Sequence, residues 1–327
     1  MNMANVGHRI RVGVLRGGLS PEFDVSIKTG ASVLKNLPAQ YRAHDILLAK
    51  DGGWHLDGMP MADTRIFDTV DVIFNALHGV YGEDGKVQRY LDSHGVRYTG
   101  SGAVASALGM NKIRAKEIVT KAGIKTSPWV VCDIETHDPD VLAHMVYKKF
   151  APPWVVKDPF GGSSIGVHIV KTRDELLYII EKMFLGGMSC VLVEEYVNGR
   201  EATCGVIDNF RNTRQYVLPV VEIVPPKERT FFDYECKYDG STHEICPARF
   251  TSEQKRAIED ATACAYQALG CRHYARVDFI LTPQGPIFLE INTLPGLTEQ
   301  SILPKAVQAI GSSYGDFLSH LIQLALL

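Results

Sequence analysis

Residues Tyr274–Gly296 read YARVDFILTPQGPIFLEINTLPG, and this stretch predicts a β-hairpin with one charged face. Residues 275–281 alternate with the period of a strand, so Arg276 and Asp278 share a face. Residues 282–286 form the turn. The second strand alternates in the same way, and this places three further side chains on one face: Phe288, Glu290 and Asn292.

If the hairpin folds symmetrically about Gln284, Asp278 lies opposite Glu290 and Arg276 lies opposite Asn292. Carboxylates that face each other across two strands repel, so a cation between them is expected. Two carboxylates and an amide oxygen suit Mg²⁺ or Mn²⁺. The alternative is a solvated face of an amphipathic hairpin. The loop at 293–298 favours the metal reading, because a tight loop before a helix is a place where anions bind.

A glycine-rich turn follows a lysine in the middle of the chain. Lys157 ends a predicted strand, and Gly161–Gly166 (GGSSIG) separates it from the next. Small residues let backbone N–H groups approach a phosphate, and hydroxyl groups add donors. A plain glycine hairpin is the alternative explanation of the same residues.

Two other segments are candidates for ligand binding. The strand ending at Glu194–Val197, with Glu201 beyond it, could offer a backbone edge to adenine and a carboxylate to ribose; a surface strand is the alternative. Residues 77–85 (LHGVYGEDG) lie at the carboxyl end of a predicted strand, and Gly17, Gly18 and Glu22 lie after the first strand. Sites in open α/β sheets lie at that end, although turn chemistry also explains these residues.

Alternating strands and helices indicate a chain of α/β and α+β architecture. The pattern predicts an N-terminal α/β lobe with a parallel sheet over residues 1–101, a central lobe over 102–195 and a C-terminal lobe over 196–327.

Several local elements are also predicted. Ser20 is expected to cap a helix that begins at Pro21. Residues 96–98 are expected to form a short strand and residues 134–153 to be irregular. Helices are expected over 102–122, 252–269 and 304–326.

Composition narrows the classes of function. The chain has 327 residues, a net charge of −3 and 22% charged residues, without the basic excess of a general nucleic-acid binder. The Cys residues lack paired spacing, and no run approaches the ~18 apolar residues of a membrane span. The N-terminus has no apolar stretch resembling a signal peptide. We therefore expect a cytoplasmic protein with no nucleic-acid or membrane partner.

The sequence lacks two common nucleotide-binding motifs. A Walker A loop is absent, because Gly85 and Lys86 are followed by Val87 and Val80 stands where the first glycine belongs. No G-x-G-x-x-G follows the first strand, which argues against a dinucleotide oxidoreductase.

Short strings in colinear order across nearly the whole chain resemble the D-alanine–D-alanine ligases of the ATP-grasp superfamily. They are VLRGGLSPEFDVS, ALHGVYGEDGKVQ, YTGSG, GMNKIRAK, KDPFGGSSIGV, FFDYECKY, ICPA, ARVDF and EINTLPGLTEQS. The resemblance implies a three-lobe ATP-grasp fold, with ATP between the last two lobes. It also implies a homodimer formed through the N-terminal lobe.

The resemblance carries roles onto matching positions. ATP is expected to contact Lys112, Lys157, Ser163, Glu194, Glu195, Val197, Glu201, Phe232, Lys237 and Phe288. Two Mg²⁺ or Mn²⁺ ions are expected at Asp278, Glu290 and Asn292. The two D-alanines are expected at Glu22, Val25, His78, Arg276, Gly296, Ser301 and Ile302. The catalytic set is expected to be Glu22, Ser163, Tyr238, Arg276, Gly296 and Ser301.

The implied reaction joins two D-alanines for peptidoglycan precursors, through a D-alanyl phosphate. Tyr238 favours D-alanine over a hydroxy acid as the second substrate. The sequence departs from the family pattern at Phe23, Asp158, Phe232 and Ile302. Phe23 leaves the contacts to the second substrate open, Asp158 is expected to point away from the phosphates, Phe232 lacks a hydroxyl group, and Ile302 is a small change of shape. The alternatives are a ligase for another amino or hydroxy acid and a non-catalytic ATP-binding protein.

Overall fold

A five-stranded sheet lies at the centre of the N-terminal part of the chain. The computed structural model describes residues 9–162, 166–225 and 242–327. The strands are β1 Arg11–Gly17, β2 Arg42–Leu48, β3 Trp54–Leu56, β4 Met59–Pro60 and β5 Val72–Asn75, in the order β4-β3-β2-β1-β5. β1 is parallel to β2 and β5, which confirms the predicted parallel sheet, while β3 and β4 add an antiparallel edge.

The helices of this lobe are α1 Phe23–Asn36, α2 Asp63–Thr69 and α3 Lys86–Ser93. The predicted start of α1 was wrong, because the helix begins at Phe23 with Glu22 as its N-cap residue. Ser20 instead accepts a hydrogen bond at Oγ from the Glu22 N–H, at 3.1 Å, and so supports the turn before the helix. The predicted strand at 96–98 is reduced to a single bridge between Tyr98 and Ile73.

A four-stranded antiparallel sheet forms the centre of the middle lobe. Its strands are β6 Trp129–Asp133, β7 Trp154–Lys157, β8 His168–Val170 and β9 Cys190–Glu195, in the order β6-β9-β7-β8. Helices α6 Pro139–Lys149 and α7 Arg173–Leu185 pack on it. The predicted irregular segment at 134–153 was wrong, because α6 lies within it. Pro139 opens α6, and Leu142 and Val146 bury its apolar face.

A six-stranded sheet forms the C-terminal part. Its strands are β10 Arg200–Phe210, β11 Thr213–Val217, β12 Val221–Val224, β13 His243–Ile245, β14 Tyr274–Thr282 and β15 Gly285–Asn292. The order is β13-β12-β10-β14-β15, and β11 also pairs with β10.

Two helices, α4 Ala103–Met110 and α5 Lys112–Lys121, connect the first lobe to the second along the chain. Asn111 separates them and caps α5, because its side chain accepts from the Arg114 N–H at 3.1 Å. Both helices pack on β15, and Ala115 and Val119 belong to the core of the six-stranded sheet. The lobe boundary at residue 102 stays a prediction, but these helices share their core with the C-terminal sheet.

Three further helices are α8 Ser252–Ala268, α9 Ile302–Ala309 and α10 Tyr314–Leu326. The predicted helix over 304–326 is therefore two helices. Gly311 adopts a φ of +73° between them, and the Ser313 hydroxyl caps α10 by accepting from the Asp316 N–H. Within the described parts of the chain, no helix is long and apolar enough to cross a bilayer.

Candidate active site

The hairpin of β14 and β15 has the predicted pairing at its charged end. Arg276 pairs with Asn292, and Asp278 pairs with Glu290. The register then shifts by one residue, because Phe279 pairs with Phe288 and Leu289 is the extra residue of a β-bulge.

The bulge changes which side chain next to Glu290 faces the site: Leu289 takes the place predicted for Phe288. The predicted shared face of Phe288 and Glu290 was wrong: Phe288 is fully buried in the core beneath the sheet, with its ring 6.2 Å from that of Phe279. Leu289 lines the cavity instead. Phe288 therefore supports the site from below and does not line the cavity.

Asp278 is the centre of a polar cluster on this hairpin. Arg276 donates to its two carboxylate oxygens at 2.9 and 3.0 Å, and Asn292 Nδ2 donates to Oδ2 at 2.9 Å. Thr203 also donates to Asp278 through its hydroxyl. Glu290 Oε2 lies 3.4 Å from Lys112 Nζ, so both facing carboxylates have a cationic neighbour.

The donor chemistry of this cluster fits the cation expected from the sequence. Asp278 and Glu290 supply carboxylate oxygens from directly opposed positions, and Asn292 can supply its amide oxygen if the amide turns its other end outward. Across the described residues, no group of three His, Cys, Asp or Glu side chains suits a metal, so a site here depends on the amide and on other oxygens. The metal assignment remains a prediction.

Two adjoining cavities meet at this cluster. The first lies between the four-stranded and six-stranded sheets. It is lined by all the described residues predicted to bind ATP except Phe288, namely Lys112, Lys157, Glu194, Glu195, Val197 and Glu201.

The second cavity lies between the N-terminal lobe and the six-stranded sheet. Every residue predicted to bind the amino-acid substrates lines it: Glu22, Val25, His78, Arg276, Gly296, Ser301 and Ile302. The two cavities share a wall made of Lys112, Gly161, Gly162, Arg276, Glu290 and Ile302. The two cavities therefore adjoin at these six residues.

Comparison with known proteins identifies the architecture. Residues 118–323 match the family model described as D-ala D-ala ligase C-terminus, and residues 57–101 match D-ala D-ala ligase N-terminus. A D-alanine–D-alanine ligase of Desulforudis audaxviator (strain MP104C) is 40% identical over 317 residues, which cover 96% of this chain and 98% of the relative. The chain belongs to the D-alanine–D-alanine ligase family.

Solved structures agree with this assignment. The D-alanine–D-alanine ligase of Bacillus anthracis, complexed with ATP, is 33% identical with a TM-score of 0.79, and 97% of each chain is covered. VanG D-Ala:D-Ser ligase of Enterococcus faecalis is 30% identical with a TM-score of 0.84, covering 97% of this chain and 100% of the other. The ATP-grasp fold predicted from the sequence is thereby confirmed.

In this member of the ligase family, the N-terminal lobe supplies groups from the carboxyl ends of β1 and β5. The Ser20 hydroxyl donates to the His78 carbonyl at 2.7 Å, and the His78 ring nitrogen Nε2 lies 2.9 Å from Thr29 Oγ1. Glu22 lies beside Gly79, where an added Cβ would be only 2.5 Å from Glu22 Oε2. Gly79 also has a φ of +69°, so a side chain there would strain the backbone and displace the Glu22 carboxylate.

The opposite wall of the second cavity is the loop before α9. Ser301 is the N-cap residue of α9, and its hydroxyl accepts from the Thr298 N–H at 3.0 Å. An added Cβ on Gly296 would lie 3.0 Å from the Ser301 hydroxyl, so the Gly296 backbone and this hydroxyl are close neighbours.

Sequence reasoning missed Lys305, which also lines this cavity and lies 2.8 Å from Glu244 Oε2. Its spacing of four from Ser301 places both residues on one face of α9 and is the signal that could have found it.

A second lysine was missed on α5. Lys116 is fully buried, and its Nζ lies 3.0 Å from Glu194 Oε1, while Lys157 Nζ lies 2.9 Å from Glu194 Oε2. Burial raises the pKa of the Glu194 carboxyl, but attraction to Lys157 and Lys116 outweighs burial and holds the pKa below its ordinary value. Glu194 is therefore ionised at neutral pH.

Two departures from the family pattern have structural accounts. Asp158 lines the first cavity and accepts at Oδ1 from the Phe160 N–H at 2.8 Å, which orders the start of the glycine-rich turn. The Phe23 ring lies under the ammonium group of Lys50, which is 4.8 Å from the centroid of the ring.

Four predicted site residues lie outside the described residues: Ser163, Phe232, Lys237 and Tyr238.

Proposed function

We propose that this chain joins two D-alanines to D-alanyl-D-alanine, with conversion of ATP to ADP and phosphate, for peptidoglycan precursor synthesis. The observation that carries the proposal is the shared wall between the two cavities. Arg276, Lys112 and Glu290 line both cavities, which supports a reaction between a phosphate bound in one and a carboxylate bound in the other. We further propose that the protein acts in the cytoplasm and, on the family resemblance, as a homodimer.

ATP is assigned to the first cavity. The cavity is lined by the largely buried side chains of Lys112 and Lys157, which attract phosphate because opposite charges interact more strongly where they are shielded from water. Glu194, Glu195 and Val197 are assigned to adenine and Glu201 to ribose. Asp278, Glu290 and Asn292 would hold Mg²⁺ or Mn²⁺, which neutralises phosphate charge when bound.

The first D-alanine is assigned to the side of the second cavity formed by the N-terminal lobe. The Glu22 carboxylate binds its ammonium group, beside Val25 and His78. This arrangement directs the substrate carboxylate toward the shared wall. A carboxylate oxygen attacks the γ-phosphorus, the bond to the ADP oxygen breaks, and an acyl phosphate forms. The residues at the wall contribute positioning and charge, and none of them needs to act as a nucleophile.

The second D-alanine is assigned to the side of the second cavity near α9. Ser301 binds its carboxylate, and its amine attacks the acyl carbonyl. The Arg276 guanidinium and the Gly296 N–H stabilise the oxyanion of the tetrahedral intermediate. Phosphate then leaves with the electron pair of the acyl–oxygen bond and takes up the proton that the attacking nitrogen loses. We assign D-alanine to this position from Tyr238; likeness to a D-Ala:D-Ser ligase makes D-serine the acceptor to compare.

The test is phosphate release with ATP and Mg²⁺, measured with D-alanine alone, with L-alanine, and with D-alanine plus D-serine or D-lactate. The proposal expects release with D-alanine alone, a D-Ala-D-Ala product, and loss of both in Arg276→Ala and Glu290→Gln. Release that requires D-serine or D-lactate transfers the proposal to a mixed ligase. ATP binding with no release for any pair rejects ligation and leaves a non-catalytic ATP-binding protein.

A further inference from the structure

Lys116 lies where a charged side chain is costly. It is fully buried on α5, and it forms part of the support behind the first cavity, whereas Lys157 and Glu194 line that cavity. Its ammonium group lies 2.9 Å from Ser127 Oγ, 3.0 Å from Glu194 Oε1 and 5.3 Å from the centre of the Trp129 ring. Such a lysine requires a permanent partner, because transfer of an unpaired ammonium from water costs several kcal/mol.

Glu194 serves as a partner to two lysines at once. Lys116 contacts one carboxylate oxygen and Lys157 contacts the other, and each of the three side chains is at most 10% exposed. With both ammonium groups protonated, these three side chains carry a net charge of +1, although carboxylates outnumber cations in the lining of the cavity as a whole. Stability alone would require only one lysine, because one ammonium group already neutralises the buried carboxylate. The second lysine is explained if an anion binds beside Lys157, which lines the cavity.

The three side chains come from two parts of the molecule: Glu194 and Lys157 from the four-stranded sheet, and Lys116 from a helix outside it. Glu194 lies on β9 and Lys157 on the neighbouring strand β7, where Val155 pairs with Glu194, so the two are diagonal neighbours on one face. Lys116 comes from α5, which shares its core with the six-stranded sheet. The ion pair between Lys116 and Glu194 thus links the four-stranded sheet to the opposite side of the cavity.

We propose that Lys116 is a positioning residue for ATP: it keeps Glu194 paired and in place when the Lys157 ammonium turns from Glu194 toward a phosphate of ATP. This inference rests on the proposed function only in taking ATP as the ligand. Without Lys116, Lys157 is the sole ionic partner of a buried carboxylate. Its turn toward phosphate then leaves that carboxylate without an ionic partner, which weakens ATP binding.

The experiment is calorimetric titration of the full chain with ATP and Mg²⁺ in the absence of amino acids. Lys116→Met should weaken ATP binding roughly tenfold to a hundredfold, the range expected for losing a bond to a buried charged group. The KM for D-alanine should change less than about twofold at saturating ATP. Lys121→Met is the matched control, because Lys121 lies on the same helix but is exposed, and it should bind ATP like the unmodified chain.

A second background separates positioning from general damage to the fold. In Glu194→Gln there is no carboxylate to hold, so adding Lys116→Met should change ATP affinity less than about twofold. The double variant should also bind ATP more tightly than Lys116→Met alone. The comparison of Glu194→Gln with the double variant remains available even if Lys116→Met alone fails to fold.

Two results overturn the proposal. One is Lys116→Met binding ATP as well as Lys121→Met does. The other is Lys116→Met costing tenfold or more in the Glu194→Gln background. Normal ATP binding by the unmodified chain without any dipeptide product would reject the proposed function, and this test would still stand.

Discussion

The bulge at Leu289 leads to opposite expectations for two adjacent residues of β15. Phe288 is fully buried against Phe279, whereas Leu289 lines the first cavity. Truncation of a buried phenylalanine to alanine costs about 3–5 kcal/mol, from lost transfer free energy and the cavity left behind. Phe288→Ala should therefore lower the thermal unfolding midpoint by roughly 6–10 °C, at about 2 °C per kcal/mol.

Leu289→Ala should have the reverse profile. The side chain is only half-buried, so its removal should cost about 1 kcal/mol of stability or less. Because it forms part of the cavity wall, its loss should weaken ATP binding by roughly threefold to tenfold, which corresponds to about 0.7–1.4 kcal/mol of apolar contact.

The assay pairs thermal unfolding of the ligand-free chain with an ATP titration at a temperature where both variants are folded. Phe288→Leu is the matched control, and it should lose less stability than Phe288→Ala because it leaves a smaller cavity. The reasoning is refuted if Phe288→Ala keeps its unfolding midpoint and loses ATP affinity, while Leu289→Ala has a lowered midpoint and unchanged ATP affinity. That result would mean that the strand follows simple alternation, with Phe288 facing the cavity.

Three other expectations follow from contacts at or near the site. Gly79→Ala should raise the KM for D-alanine by displacing the Glu22 carboxylate. Gly52→Ala has similar backbone strain, at a φ of +87°, but no atom within 4 Å of the added Cβ, so it should lose stability without that KM effect. Lys305→Met should raise the KM of the acceptor amino acid severalfold and leave the ATP KM unchanged in initial-rate assays, because Lys305 faces the second cavity beside Ser301; an unchanged acceptor KM would contradict this. Burial raises the pKa of Glu222, but Arg200 and Arg249 outweigh it and hold the pKa below 4.5. The stabilisation is therefore present at neutral pH and lost as the pH falls through the folded-state value, so Glu222→Gln should lower the unfolding midpoint at pH 7 and match the unmodified chain at low pH; a constant difference would refute the assignment.

The sequence was sufficient to predict the charged end of the hairpin but not its far end. Arg276–Asn292 and Asp278–Glu290 are the predicted pairs. The actual turn, however, has two central residues, so pairs next to it are offset by one from symmetry about Gln284, and Leu289 absorbs the offset. Alternation of apolar residues gives no sign of such an insertion when the extra residue is itself apolar.

Lys116 was missed because its spacing in the sequence resembles that of an exposed helix face. Lys116 follows Lys112 by one helical turn, and such spacing in a sequence is typical of a solvated helix face. Only the packing of α5 between two sheets reveals that Lys116 is buried and Lys112 nearly so. Similarly, α6 was missed because its polar surface obscured the spacing of Leu142 and Val146, although Pro139 marks its start.

The packing of α4 and α5 on β15 has a consequence for the order in which the chain folds during synthesis. These helices leave the ribosome before the four-stranded sheet, but their partners on β15 and α8 are made more than a hundred residues later. The four-stranded sheet with α6 and α7 pairs strands within residues 129–195. Contacts between residues that are near in sequence form faster, so we expect this sheet to fold first. The apolar faces of α4 and α5 then stay exposed until β15 and α8 have been synthesised.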